Sequence, residues 1–100
     1  MTADSRKDLG SFVPARRHGI CEAEIDGELV LLDTSDGALH VLDRIGAAIW
    51  RELDGARSVD AIVEELSAAA EADTEQVRED VAGFLDQLSR GGLLSCPPPG

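Results

Sequence analysis

Residues 36–55 read DGALHVLDRIGAAIWRELDG, and the apolar period changes inside that stretch. Residues 38–42, ALHVL, form a short strand-like run. From Asp43 onward, Ile45, Ala48, Ile49 and Leu53 recur at helical spacing. Asp43 stands between the two as a favoured N-cap, and Gly55 is a plausible helix stop. A strand this short, running straight into an amphipathic helix, reads as a sheet edge that another chain can complete. Such an edge displays unpaired N–H and C=O groups.

Working toward the N-terminus, ELVLLD at 28–33 is apolar on both faces from Leu29 to Leu32, the pattern of a central strand with cover on each side. ICEAEI at 20–25 alternates acid with apolar or small residues, a period of two. Asp26-Gly27 between them favours a two-residue type I′ hairpin, and TSDG at 34–37 is a second turn signal. Three strands joined by short turns make an antiparallel meander whose first and third strands are edges.

Toward the C-terminus, Ser58 caps a second helix with Val59, Ile62, Val63, Leu66 and Ala70 on one stripe. Asp73 caps a third, with Gln76 at the capping-box position. Val77, Val81, Phe84, Leu85 and Leu88 form its stripe, and Arg90 suits the dipole of its last turn. Gly91-Gly92 ends it, and Leu93-Leu94 is expected to pack back onto the core. Trp50 is expected to fill the junction of sheet and helices. Three strands followed by three helices predict an α+β domain that is winged helix-turn-helix-like. Residues 1–11 are polar and aperiodic and read as a disordered arm, residues 12–94 as the domain, and SCPPPG at 95–100 as a flexible tail.

Composition limits the function. With 43% apolar residues in 100, the chain can bury one small core. No apolar run is long enough to span a membrane, and MTADSRKDLGSF has no hydrophobic stretch of a secretory signal. Two lone cysteines, Cys21 and Cys96, then suggest reduced thiols in a cytoplasm. The net charge of −11 is uneven. Residues 1–20 carry four cations against two carboxylates; residues 21–100 carry five arginines against eighteen carboxylates. Such a domain should repel nucleic acid and anionic membranes. The third helix is the natural groove reader of a helix-turn-helix. It sets Arg78 and Arg90 against Asp73, Glu75, Glu79, Asp80 and Asp86, which argues against DNA binding.

Nothing in the spacing points to catalysis. His18, His40, Cys21 and Cys96 are scattered without zinc-ligand spacing, and no glycine-rich phosphate loop is present. The expectation is no catalytic residue, no metal and no cofactor.

Taken in order, LVLLD, DGALHVLD, AAIWRELDG, SVDAIVEEL and DVAGFLDQLSRGGLL resemble the PqqD-like family across residues 12–94. Asp43 stands where that family usually has Asn; both cap helices, but an amide contact there would be lost. The resemblance implies a non-enzymatic module for ribosomally made, post-translationally modified peptides (RiPPs). Such modules hold the leader of a precursor peptide and deliver it to a modifying enzyme such as a radical-SAM protein, a peptidase or a cyclase. They add the leader as an antiparallel strand beside the third strand, against the third helix. Carried onto this chain, the contacts are Leu39, His40, Val41 and Leu42 with Val77, Asp80, Val81 and Phe84.

Each of these has a plainer reading. Val81 and Phe84 are first of all core residues, His40 also reads as a solvated edge residue, and Asp80 as a surface carboxylate. Alternation sends Leu39 and Val41 to one face and His40 and Leu42 to the other; which pair meets the helices stays open. The expected state is a monomer. The alternative is a general protein-interaction or dimerising adaptor, because an open edge can also pair with its own copy.

Overall fold

The computed structural model describes residues 9–96. Strands β1 (Ile20–Ile25), β2 (Glu28–Asp33) and β3 (Leu39–Leu42) are followed by helices α1 (Arg44–Arg51), α2 (Val59–Ala70) and α3 (Thr74–Arg90). The strands form one antiparallel sheet in the order β1-β2-β3, the meander and α+β arrangement expected. Asp26 and Gly27 both have positive φ, at 53° and 82°, which the type I′ turn demands.

The helices cover one face of the sheet only. Leu29, Leu31 and Leu42 are buried beneath them with Ile49, Trp50, Ile62, Leu85 and Leu88. Trp50 is fully enclosed, as expected for the sheet–helix junction. β2 departs from its expected cover on both faces. Val30 is half-buried and Leu32 exposed, because no described element lies over that side. β1 inverts the usual alternation. Its register places Glu22 opposite Leu31 and Glu24 opposite Leu29, so the acids share the helix-facing side. There Glu22 pairs with Arg16 at 2.7 Å and Glu24 with Arg51 at 3.6 Å.

Side chains close the helix starts. Asp43 Oδ1 accepts from the Gly46 amide at 2.7 Å, and Ser58 Oγ from the Ala61 amide at 3.2 Å. Asp73 accepts from the Glu75 amide, but the capping box stays open, because Gln76 turns along the helix and donates to Asp80. α1 stops at Arg51, short of Gly55; Leu53 lies beyond the helix and is still buried. The stripe of α2 ends near Leu66 and Ser67, and Ala70 is exposed.

Both ends of the domain are tied down. Residues 9–11, assigned from sequence to the disordered arm, form a helical turn with Gly10 buried and Leu9 packed on the core. Residues 1–8, with the cations Arg6 and Lys7, and residues 97–100 of the expected tail lie outside the described residues. Leu93 and Leu94 are buried. Arg17 and Ser95 donate from their amides to Leu93 and Ala15, clasping the two ends together.

A buried carboxylate anchors the end of β2. Asp33 Oδ1 accepts from the Ser35 hydroxyl at 2.7 Å and the Ser35 amide at 3.0 Å, and Arg17 donates to the same atom. Those two bonds, then the guanidinium, hold its carboxyl below the ordinary 3.8 despite burial. Its stabilisation is therefore complete above the unfolded-state value and lost as pH falls through the lower folded-state value. Asp33→Asn should lower the urea midpoint near neutrality, and the gap to the parent should narrow below about pH 4. An equal gap at both pH values would contradict this role.

Candidate functional site

The hydrogen-bond phase of the sheet decides which edge groups are available. The Asp33 amide donates to Ala38 C=O at 2.9 Å, in register with Leu31↔His40 and Leu29↔Leu42. Antiparallel ladders alternate, so Ala38, His40 and Leu42 turn their main-chain groups toward β2. Leu39 and Val41 therefore direct N–H and C=O away from the sheet. On the far side, the Thr34 amide donates to Gly19 C=O, which by the same alternation leaves Ile20, Glu22 and Glu24 facing outward from β1.

The two edges differ in what flanks them. Beside the β1 edge stand Glu22 and Glu24, inward-pointing charges that discourage strand addition. Beside the β3 edge a groove of about 380 Å³ opens between the end of β3, the first turns of α1, and α3. Leu42, Ile49 and Phe84 form its largely buried apolar base. Val41 and Ile45, both exposed, rise at its mouth. Two glycines keep it open. A Cβ on Gly46 would sit 3.0 Å from the Phe84 ring, so α1 approaches α3 closely only without one. A Cβ on Gly83 would meet nothing within 4 Å, so the space above it is vacant groove.

The rim is acidic. Asp43, Glu79 and Asp80 line it with Gln87, and among the described residues no lysine or arginine does. Asp43 is engaged as the α1 cap, and one oxygen of Asp80 is held by Gln76 at 3.1 Å. Such a site can accept an extended segment along Leu39 and Val41, an apolar side chain on Phe84 and Leu42, and a polar or cationic group at the rim.

Of the eight residues expected from sequence, Val41, Leu42, Asp80 and Phe84 come together in the groove. Leu39 lies on the edge just outside it, 66% exposed. His40 turns its side chain inward toward the end of α3, where a Cβ on Gly91 would be 3.3 Å from its ring. Among the described residues its Nε2 is buried without a hydrogen-bond partner. Val77 packs against the core and Val81 is wholly buried, so neither lines the groove. Sequence reasoning did not name Asp43, Ile45, Gly46, Ile49, Glu79, Gly83 and Gln87 as lining this groove. One signal was available: Gly83 sits mid-helix, where glycine costs about 1 kcal/mol relative to alanine and calls for a reason.

Among the described residues no group of three or more His, Cys, Asp and Glu is placed to hold a metal ion, and no helix is long and apolar enough to cross a membrane. Cys21 and Cys96 are exposed thiols.

Comparison with known proteins bears on this site. The sequence pattern of the family described as coenzyme PQQ synthesis protein D (PqqD) matches residues 28–94. The PqqA binding protein of Rhizobium meliloti (strain 1021) is 36% identical over 96 residues, covering 94% of this chain and 96% of that protein. The structure of TbiB1 in complex with the TbiA(β) leader peptide is similar with a TM-score of 0.72 at 31% identity, over 81% of this chain and 94% of that one. The solution structure of the PqqD truncation of Methylobacterium extorquens PqqCD is described as a functional, stand-alone RiPP recognition element. It is similar with a TM-score of 0.75 at 25% identity, over 87% of this chain and 93% of that one.

Proposed function

The chain belongs to the PqqD family, and from that premise we propose that it is a non-catalytic recognition module for the leader of a ribosomally made precursor peptide. The leader lies beside β3 as a fourth strand. It pairs with the outward main-chain groups of Leu39 and Val41 and places an apolar side chain on Phe84 and Leu42. The observation that carries this reading is the contrast between edges: among the described residues β3 has no strand on its outer side and adjoins an apolar groove, whereas β1 is flanked by paired glutamates.

Magnitudes assign the parts. Each main-chain bond contributes about 0.5–1.5 kcal/mol net, and ordering a flexible peptide costs about 2–5 kcal/mol. The ladder alone therefore roughly cancels. One apolar side chain seated in the groove contributes about 1.5–3 kcal/mol and supplies the surplus. The ladder fixes register and direction; the groove selects the sequence. Val77 and Val81 support α3 from the core side, and His40 supports the packing of β3 beneath it.

The protein works as a monomer in the cytoplasm and hands the peptide to a modifying enzyme. Titration with synthetic leader peptides of ribosomally made precursors supplies the test. A leader should bind with one-to-one stoichiometry, and the affinity should change only modestly between low and high salt, because the ladder and the apolar base of the groove, rather than its acidic rim, carry the binding. A steep salt dependence would move the site to charged surface. A tight dimer that excludes the leader would favour the adaptor reading instead.

A further inference from the structure

The sheet has a second surface, the face turned away from the helices. Register places Ala23, Val30 and Val41 in one row across it, with Leu32 beside Leu39 in the next and Ile25 at the hairpin. Ile25, Leu32, Leu39 and Val41 are 37–66% exposed and make up four of the six large hydrophobics exposed among the described residues. Apolar side chains concentrated on one face in this way mark an interaction surface.

Charge distinguishes the two sides of the sheet. Residues 20–42 contain six carboxylates and no lysine or arginine. Glu22, Glu24 and Asp33 are neutralised on the helix side by Arg16, Arg51 and Arg17. Asp26, Glu28 and Asp36 have no ion-pair partner among the described residues. Glu28, opposite Ile25, borders the apolar rows directly.

We propose that this outer face is where the modifying enzyme docks, through an apolar patch with a basic rim. The inference rests on the leader-binding reading above. A second copy of this chain is the poorer occupant, because it would bring its own unpaired carboxylates and a net charge of −11 against the first.

The two surfaces are continuous. Leu39 and Val41 turn main-chain groups to the leader and side chains to the outer face. A leader strand beside them sends alternate residues into the groove and the others onto the outer face, as a fourth column of it. The enzyme then touches leader and domain at once and holds the loaded domain more tightly than the empty one.

The test uses the full chain, a synthetic leader peptide that it binds, and a modifying enzyme that acts on the precursor carrying that leader. Leu32→Asp should bind leader within about twofold of the parent, being outside the groove, yet bind enzyme at least about tenfold more weakly. Glu28→Lys changes only the rim and covers the case in which Leu32→Asp does not fold. It should weaken enzyme binding about threefold at low salt, less at high salt. Saturating leader should tighten enzyme binding to the parent chain, and enzyme should tighten leader binding by the same factor. Parental enzyme affinity in both variants, with leader binding intact, would overturn the docking face and leave leader recognition standing. A parent chain that binds no leader would overturn the reading beneath it. A sedimenting dimer of the parent that Leu32→Asp dissociates would assign the face to a second copy and overturn the proposal.

Discussion

Val41→Pro should weaken leader binding at least about tenfold while leaving the domain folded, whereas His40→Pro should unfold or strongly destabilise it. The difference lies in the phase of the ladder. The Val41 amide points out of the sheet, so proline there removes no internal bond. It does remove a donor from the guest, whose carbonyl is then desolvated without a partner at a cost of about 1–3 kcal/mol. Each 1.4 kcal/mol is a factor of about ten in affinity. The His40 amide faces Leu31, which is fully buried. Proline there orphans a main-chain carbonyl in the core sheet and pulls β3 from its position above α3. Thermal melts and peptide titration of the two variants read both effects. A larger loss of stability in Val41→Pro than in His40→Pro would place the ladder in the opposite phase; parental leader affinity in Val41→Pro would take the guest off this edge.

Gly83→Leu should stabilise the protein and weaken leader binding. Position 83 is in the interior of α3, where replacing glycine gains about 0.5–1 kcal/mol. Apart from its own helix backbone and chain neighbours, an added Cβ meets nothing within 4 Å, so the new side chain starts into open space. The space it fills is the groove. An apolar leader side chain displaced from that space forfeits up to about 1.5–3 kcal/mol, or roughly ten- to a hundredfold in affinity. A raised denaturation midpoint together with lost binding separates a filled groove from a variant that merely fails to fold. Unchanged or tighter binding with the groove filled would show that the guest enters elsewhere.

The elements were legible because their signals are local. Asp26-Gly27 requires positive φ at two consecutive residues, and the chain adopts it. Asp43, Ser58 and Asp73 cap the three helices expected of them. The order of strands and helices, together with the PqqD-like motifs, led to the fold and the family. What escaped was set by the third dimension. The two-sided apolar pattern of β2 implied cover on both faces, but the helices lie on one, and the other is surface. The acids of β1 point toward the helix layer, where Arg16 from the segment just before β1 and Arg51 from α1 pair with them. Along α3, Val77 and Val81 share a stripe with Phe84, yet only Phe84 is at the angle that reaches the groove. Heptad spacing cannot separate the core side of such a stripe from its groove side. The facing of β3, left open by alternation alone, follows from register: Leu42 goes in, and Leu39 and Val41 go out.

The most direct measurement is amide hydrogen exchange across the sheet, residue by residue, with and without the leader. In the unliganded protein Leu39 and Val41 should exchange fast and His40 and Leu42 slowly, because only the latter two donate to β2. On adding leader, Leu39 and Val41 should become protected, while Glu22 and Glu24 on the opposite edge keep their rates. Protection gained at Glu22 and Glu24, or bound leader with no change at Leu39 and Val41, would contradict strand addition at β3.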